Sequence, residues 1–276
     1  MGLDAAIGWE VAGPLTQIDA DVADAVSDLP EDPLELCRVA QGLVMLPDLA
    51  ATFGIPDDRH GERSIRSTSE LLRRLGELDS TPVHESRSPD RRVVGTCRHF
   101  AVLSCAFLRH RGIPARARCG FARYFVADKY VDHWVTEYLD ACGRWVRIDS
   151  EILGFPFVDH PEDLQPGEFL TGGEAWTYLE QSGDDPMCFG VSGVSHAWGV
   201  GEVRGNAVRD LAALNKIEML PWDEWGRMEA SYKGATGSEF DALMGQVAEV
   251  CASDDESAIR ALYLSEDLRV PDRLIG

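Results

Sequence analysis

Apolar residues at helical spacing predict two helices in the first 90 residues of the chain. In the stretch from Pro30 to about Leu46, the apolar positions that recur every three residues are Leu34, Cys37, Ala40 and Leu43. The sequence STSELLRRLGEL (67–78) predicts a second helix, because the serine at its start can cap the first-turn N–H groups. The segments between and after them are polar and contain proline. We therefore predict that residues 1–90 form a helical lead-in packed on the core that follows.

The pattern changes near Thr96, where a helix is followed by strands. This helix is predicted to end at Gly112 and Pro114, and its apolar stripe consists of Phe100, Leu103, Phe107 and Leu108. Alternating residues then predict three strands, in ARARCGFARYF (115–125), HWVTEYL (133–139) and RWVRIDS (144–150). Residues 140–143 read as a hairpin connection between the last two. A helix followed by three such strands predicts an α+β fold with an antiparallel sheet.

After Glu151 the pattern loosens into loop-rich sequence and then becomes helical again. Helical periodicity returns in three stretches: AVRDLAALNKIEML (207–220), EFDALMGQVAEVCAS (239–253) and ESAIRALYLSED (256–267). We divide the chain accordingly into a lead-in of residues 1–90, a core of residues 91–152 and a C-terminal extension of residues 153–276. The extension is expected to belong to the same domain as the core.

Charge and cysteine content narrow the classes of partner. The chain has 47 acidic and 26 basic residues among 276, a formal net charge of -21, which repels phosphate backbones and anionic membranes. We expect no nucleic-acid partner, no membrane partner and, since the acidic start of the chain is unlike a secretory signal, a cytoplasmic location. The seven cysteines form no CxxC pair, so neither a disulfide framework nor a cysteine-rich zinc site is predicted.

Cys97 is the strongest candidate nucleophile in the sequence. It lies at the predicted start of the helix from Thr96, where the helix dipole and the backbone N–H groups favour a thiolate. The segment from Arg91 to Ala127 has no acidic residue and eight arginines, which would lower the pKa of a nearby thiol further. The alternative is that Cys97 is a small buried core residue, as most free cysteines are.

The predicted hairpin supplies a candidate base and a residue to orient it. If Leu139 pairs with Gly143 across the turn, His133 pairs with Asp149 on the neighbouring strand, at a Cβ separation of roughly 5 Å. The sequence alone does not fix this register. With it, an acid orients an imidazole that can take the proton of Cys97, which completes a set of nucleophile, base and orienting acid.

Three blocks of this sequence resemble the transglutaminase-like superfamily of papain-type cysteine enzymes. They are GTCRHFAVLSCAFLRHRGIPARARCGF (95–121), DHWVTEY (132–138) and WVRIDSE (145–151). The resemblance implies a nucleophile helix packed on an antiparallel sheet, with helical N- and C-terminal flanks, and a triad of Cys97, His133 and Asp149. His99 departs from the family pattern, which often has an acidic residue there. It is either a second titrating group beside the thiol or a polar residue at the sheet edge.

The resemblance implies cysteine acyl chemistry through a covalent thioester intermediate. We expect hydrolysis of an amide or peptide first, because water as acceptor needs no second binding site. Two alternatives stay open: acyl or aminoacyl transfer to an amine, and a catalytically inactive binding module. The expected substrate contains an amide or thioester and is anionic or carrier-bound if the arginines contact it, with Arg98, His99 and Trp134 as candidate substrate contacts. No metal and no other cofactor is required.

Overall fold

The computed structural model describes residues 7–265 and 267–275 of the chain. Its helices are α1 (Pro33–Leu43), α2 (Pro47–Ala50), α3 (Thr68–Leu78), α4 (Cys97–His110), α5 (Gly172–Ser182), α6 (Val200–Leu214), α7 (Gly226–Tyr232), α8 (Ser238–Cys251), α9 (Glu256–Tyr263) and α10 (Asp272–Ile275). Its strands are β1 (Val44–Met45), β2 (Val93–Val94), β3 (Ala115–Ala122), β4 (Tyr130–Leu139), β5 (Trp145–Ile148), β6 (Phe169–Thr171) and β7 (Phe189–Gly190). Short 3-10 helices cover Ala23–Val26, Ala51–Phe53, Asp57–Ser64, Pro89–Arg91 and Pro186–Cys188.

The main sheet confirms the predicted α+β class. Its strands lie in the order β5-β4-β3-β6, and β7 pairs with β4 in parallel. The pairs β3 with β6 and β4 with β5 are antiparallel, while β1 and β2 form a separate parallel pair. No helix in the described ranges is long and apolar enough to cross a membrane.

The chain divides into two compact units that do not follow sequence order. The N-terminal unit contains Trp9–Ala117 and Val135–Asp163, and the C-terminal unit contains residues 7–8, Arg118–Trp134 and the residues described from Leu164 onward. Both β3 and β4 therefore have residues in each unit. The predicted boundaries after residues 90 and 152 both fall inside the N-terminal unit, and the first six residues of the predicted lead-in lie outside the described residues.

Within the N-terminal unit, the helices predicted by periodicity are confirmed. Helix α1 begins after Asp32, whose side chain accepts the Glu35 N–H, and it packs against α4. Helix α3 begins after Ser67, which forms a capping box with Glu70. Helix α4 ends as predicted, because the N–H groups of residues 112 and 113 donate to the carbonyl oxygens of residues 109 and 108 in a Schellman arrangement.

The β4–β5 hairpin forms where it was predicted, but its register differs. Leu139 pairs with Trp145 and not with Gly143, so the same register continued past β5 sets Asp149 level with Val135 and not with His133. Beyond this pair, the Asp140 N–H donates to the Arg144 carbonyl oxygen over 2.9 Å, which leaves a loop of three residues, 141–143. The Asp140 side chain accepts the N–H groups of residues 142 and 144, and Gly143 adopts φ 79°. A left-handed residue at the end of a three-residue loop is favourable for glycine. The predicted pairing of His133 with Asp149 is therefore wrong by two residues.

The C-terminal unit is built around α6. Ten consecutive residues of this helix, Gly205 to Leu214, are buried, and α5, α8, α7 and α9 pack against it. The periodicity in residues 207–220 predicts this helix but places it too late, since it begins at Val200 and ends at Leu214. Helices α8 and α9 confirm the other two predictions, except that residue 266 of the last stretch lies outside the described residues.

Candidate active site

Cys97 is the first residue of α4, directly after the N-cap Thr96. It is half-buried, and the first turn of this 14-residue helix contains no acidic side chain. The dipole of the helix and the N–H groups at its start stabilise a thiolate at this position. The seven cysteines are all free thiols: Cys37, Cys105, Cys119 and Cys251 are buried, Cys97 and Cys188 are half-buried, and Cys142 is exposed.

Backbone contacts within the N-terminal unit fix the chain that leads into Cys97. The Gly95 N–H donates to the Met45 carbonyl oxygen over 2.9 Å, and the Val94 N–H donates to a carboxylate oxygen of Glu62 over 2.8 Å. Although burial opposes its ionisation, hydrogen bonds from Arg59, from the Val94 N–H and from Arg74 hold the pKa of Glu62 below its usual range. The ionised Glu62 carboxylate therefore binds β2 at Val94, two residues before the N-cap of α4.

His99 is a capping residue of α4 and not a second titrating group. Its Nδ1 accepts the Thr96 N–H over 3.0 Å, so the ring proton lies on Nε2, which donates to the Ile65 carbonyl oxygen over 3.0 Å. The side chain is fully buried, and burial together with the neighbouring Arg98 charge lowers the pKa of His99 to about 3. His99 is thus neutral at physiological pH, and it lies at the N-terminus of a helix rather than at a sheet edge.

Asp149 lies in a segment that is held against two helices. Its side chain is fully buried, and its Oδ1 accepts the Glu151 N–H over 3.0 Å. The hydroxyl groups of Ser150 and Ser104 are hydrogen-bonded at 2.7 Å, which joins this segment to α4. The Gln41 amide of α1 donates to the carbonyl oxygens of residues 151 and 153.

The contact on α4 falls on the same side of the helix as Cys97. Ser104 follows Cys97 by seven residues, which is two helical turns. Between these positions, the Thr136 hydroxyl of β4 donates to the Ala101 carbonyl oxygen over 3.3 Å. This side of α4 is therefore bonded both to β4 and to the segment that carries Asp149.

His133 lies in the C-terminal unit, among aromatic rings. The imidazole is buried and makes an edge-on contact with Phe125, with ring centroids 4.9 Å apart and planes at 77°. Tyr124 and Phe169 approach it edge-on at centroid distances of 6.3 and 6.4 Å. Such edge-on packing restricts the orientation of the ring and reduces its access to water.

The three predicted substrate contacts have almost no exposed surface. Arg98, His99 and Trp134 are 0%, 0% and 1% exposed. This burial does not support a direct contact between these side chains and a substrate. They support the fold around Cys97 and His133, and we do not assign them a substrate.

Three of the arginines between residues 91 and 127 form ion pairs or hydrogen bonds with acceptors inside the protein. Arg116 contacts Glu137 at 2.7 Å, Arg118 contacts Asp210 at 2.8 Å, and Arg109 donates to the Ala115 carbonyl oxygen at 3.0 Å. These contacts remove part of the reason to expect an anionic substrate. Within residues 7–265 and 267–275, no group of three or more His, Cys, Asp or Glu side chains could hold a metal ion.

Sequence reasoning missed the buried polar residues that support the candidate site. Ser104 interrupts the apolar run of α4, and Asn206 and Asp210 interrupt that of α6; all three are fully buried. A polar residue at a core position of an apolar helix usually has a hydrogen-bond partner elsewhere in the fold. A polar residue within the apolar run of a helix was therefore the sequence signal that could have identified these supporting residues.

Residues 62–150 match the family model of the transglutaminase-like superfamily. The chain therefore contains a transglutaminase-like domain, and the matched residues include Cys97, His133 and Asp149. The match begins at Glu62, earlier than the predicted start of the core at residue 91. The superfamily implies cysteine-based catalysis in general and is typically enzymatic, although some members are inactive. No curated protein and no solved structure matches the chain.

Proposed function

We propose that the protein is a cysteine hydrolase that cleaves amide or thioester bonds through a covalent intermediate. The Cys97 thiolate attacks the carbonyl carbon, and His133 holds the proton taken from the thiol. When the tetrahedral adduct collapses, that proton goes to the leaving amine or thiol and a thioester on Cys97 remains. Water, deprotonated by His133, then attacks the thioester, releasing the acid and restoring the thiol. Asp149 orients His133 and stabilises its charged form.

The position of Cys97 carries this proposal. A half-buried cysteine at the first position of a long helix without a first-turn acid combines access for a substrate with stabilisation of a thiolate. The same helix N-terminus directs its backbone N–H groups outward, so the Cys97 N–H is the natural donor to the oxyanion of the adduct. The family match over all three triad residues supports the assignment of His133 and Asp149.

Transfer to an amine is the second candidate. The aromatic rings around His133 reduce the access of water to the base, and a water-poor site favours an amine as acceptor over water. Neither reaction needs a metal or an organic cofactor. We place the reaction in the cytoplasm, since seven free thiols suit a reducing compartment.

The rate of Cys97 alkylation by iodoacetamide, measured against pH by peptide mapping, tests the nucleophile and the base. We expect Cys97 to react with an apparent pKa well below about 8.5, the value of a free thiol, and we expect His133→Ala to raise it. His160→Ala is the matched control, because His160 is exposed and lies outside the triad. Cys142 in the same digest reports an exposed thiol. If Cys97 reacts no faster than Cys142 and ignores the loss of His133, the inactive binding module becomes the better interpretation.

An activated ester distinguishes hydrolysis from transfer. With p-nitrophenyl acetate, we expect a burst of one nitrophenolate per chain and an acetyl group on the peptide that contains Cys97. Slow release of acetate in buffer alone supports hydrolysis. Release that accelerates in proportion to an added primary amine, with the amide as product, supports transfer instead.

A further inference from the structure

The C-terminal extension reaches the strand of His133 through the buried helix α6. Asn206 and Asp210 lie one turn apart on the same side of this helix, and both are fully buried. Polar side chains are costly in such a position unless every group finds a partner. Their hydrogen-bond partners therefore identify the parts of the fold to which this side of α6 is bonded.

Asp210 binds β3. The Arg118 guanidinium donates to both of its carboxylate oxygens, over 2.9 and 2.8 Å, and the Cys119 N–H donates to Oδ1 over 3.1 Å. A bidentate pair of this kind fixes direction as well as distance. The backbone of β3 is thereby set against α6 at two consecutive residues.

Asn206 joins β3 to β4. Its Nδ2 donates to the Gly120 carbonyl oxygen over 3.1 Å and to Asp132 Oδ1 over 2.6 Å. Its Oδ1 accepts from Arg209 over 3.1 Å, so the amide can be placed in one orientation only. One side chain thus links two neighbouring strands at the residue that precedes His133.

The backbone at Asn206 is itself held in place. A Cβ on Gly172, the first residue of α5, would lie 2.3 Å from the carbonyl carbon of Asn206 and 2.4 Å from the nitrogen of Ala207. The two helices therefore approach more closely at this point than any side chain would permit. The backbone of Asn206 is thus packed against α5, while its side chain is hydrogen-bonded to β3 and β4.

We propose that Asn206 and Asp210 are positioning residues for His133, so that the C-terminal extension is part of the catalytic apparatus. This inference rests on the proposed function, in which His133 is the base. The hydrogen bond from Asn206 fixes the position of β4 at Asp132. Because Asp132 and His133 are consecutive residues, it also fixes the backbone from which the imidazole projects. Asp210 holds β3 in register beside it.

The charges around Asp132 support a direct effect on His133 as well. Burial raises the pKa of Asp132, while Arg209, the Asn206 amide and His133 oppose that rise. Glu202 also faces this carboxyl, and Tyr232 and Cys119 act on it through their interactions with Arg209. Removing the Asn206 donor would therefore favour the neutral acid beside His133 and weaken the support for an imidazolium.

The test is the pH profile of Cys97 alkylation by iodoacetamide in the full-length chain. We expect Asn206→Ala to raise the apparent pKa of Cys97 by about one unit, which is a tenfold slower reaction below that pKa. Asn215→Ala is the matched control: it removes an amide from the end of the same helix, where Nδ2 donates to the Leu211 carbonyl oxygen. We expect that variant to lose stability without moving the profile.

Two further variants keep the outcome clear if Asn206→Ala does not fold. Asp132→Asn keeps an acceptor for the Asn206 amide and removes only the charge, and it should also raise the apparent pKa of Cys97. The exchanged pair Asn206→Asp with Asp132→Asn restores one amide-to-carboxylate bond, and it should recover part of the wild-type profile.

His133→Ala in the same series separates the two proposals. If it moves the profile but the Asn206 and Asp132 variants do not, or if Asn215→Ala moves it equally, Asn206 serves stability alone and this inference is overturned while the proposed function stands. If His133→Ala has no effect, both are overturned.

Discussion

Replacing Gly172 by alanine is expected to be strongly destabilising although it adds only one methyl group. The new Cβ would lie 2.3 to 2.4 Å from three backbone atoms of residues 206 and 207. Ordinary contacts of a Cβ begin near 3.4 Å, so α5 and α6 would have to separate by about 1 Å along this line. Backbone atoms cannot move aside as a flexible side chain can. We expect a loss of about 3 kcal/mol, the upper end of the range for overpacked cores.

Gly245→Ala in α8 is the matched control and should have the opposite sign. Among the described residues, no atom outside the adjoining helix backbone lies within 4 Å of a Cβ built on Gly245, so the substitution gains helix propensity of up to about 1 kcal/mol without crowding. The assay is thermal unfolding followed by circular dichroism. At about 2 to 4 °C per kcal/mol, Gly172→Ala should lower the midpoint by roughly 6 to 12 °C, and Gly245→Ala should raise it slightly. Equal midpoints for Gly172→Ala and wild type would refute the close approach of the two helices at Asn206.

Three other predictions concern buried polar groups. Asp210→Asn leaves the Arg118 charge buried without its counter-ion and should cost about 3 to 5 kcal/mol in urea unfolding, whereas a loss below 1 kcal/mol would contradict the pairing. Ser104→Ala and Ser150→Ala should each cost about 0.5 to 1.5 kcal/mol, and the double variant less than their sum, because either single change already removes the hydrogen bond between the two hydroxyl groups; strict additivity would argue against the bond. His99 binds a proton in the unfolded chain below about pH 6.5, but in the folded chain only below about pH 3. Its burial therefore lowers the free energy of unfolding by about 1.4 kcal/mol for each unit by which the pH falls between these values. His99→Asn should remove that slope between pH 6.5 and pH 5, and an unchanged slope would show that another group causes it.

The sequence predicted elements well where the pattern was local. Helix α4 was recognised from its apolar stripe and from the stop at Gly112, because both signals lie within a few residues of the structure they cause. The hairpin turn was recognised for the same reason. Its register was not, since a four-residue turn sequence is compatible with more than one closing pair, and the Asp140 side chain with Gly143 decided between them.

The contacts that support the candidate site could not be predicted from the sequence. His99 follows Cys97 by two residues and so suggested a second titrating group. It occupies the third helical position, from which a side chain reaches back to the N-cap, and a histidine there does what glutamate usually does in a capping box. The partners of Ser104 and Asn206 lie 46 and 74 residues away along the chain, and no local pattern reveals such pairings.

Helix α6 contacts residues that lie far from it in the sequence, and this has a consequence while the chain is being synthesised on the ribosome. Asp132 and Asn206 are 74 residues apart, an interval that takes about 4 to 15 s to translate at roughly 5 to 20 residues per second. The Gly8 N–H donates to Glu256, 248 residues away, so the C-terminal unit closes only after Glu256 has been synthesised. During that interval the nascent protein already contains Cys97 and His133 but lacks the helix that holds β4. Under the proposal that Asn206 positions His133, the Cys97 thiol is not activated before α6 has docked, and it stays inert toward neighbouring nascent chains during that interval.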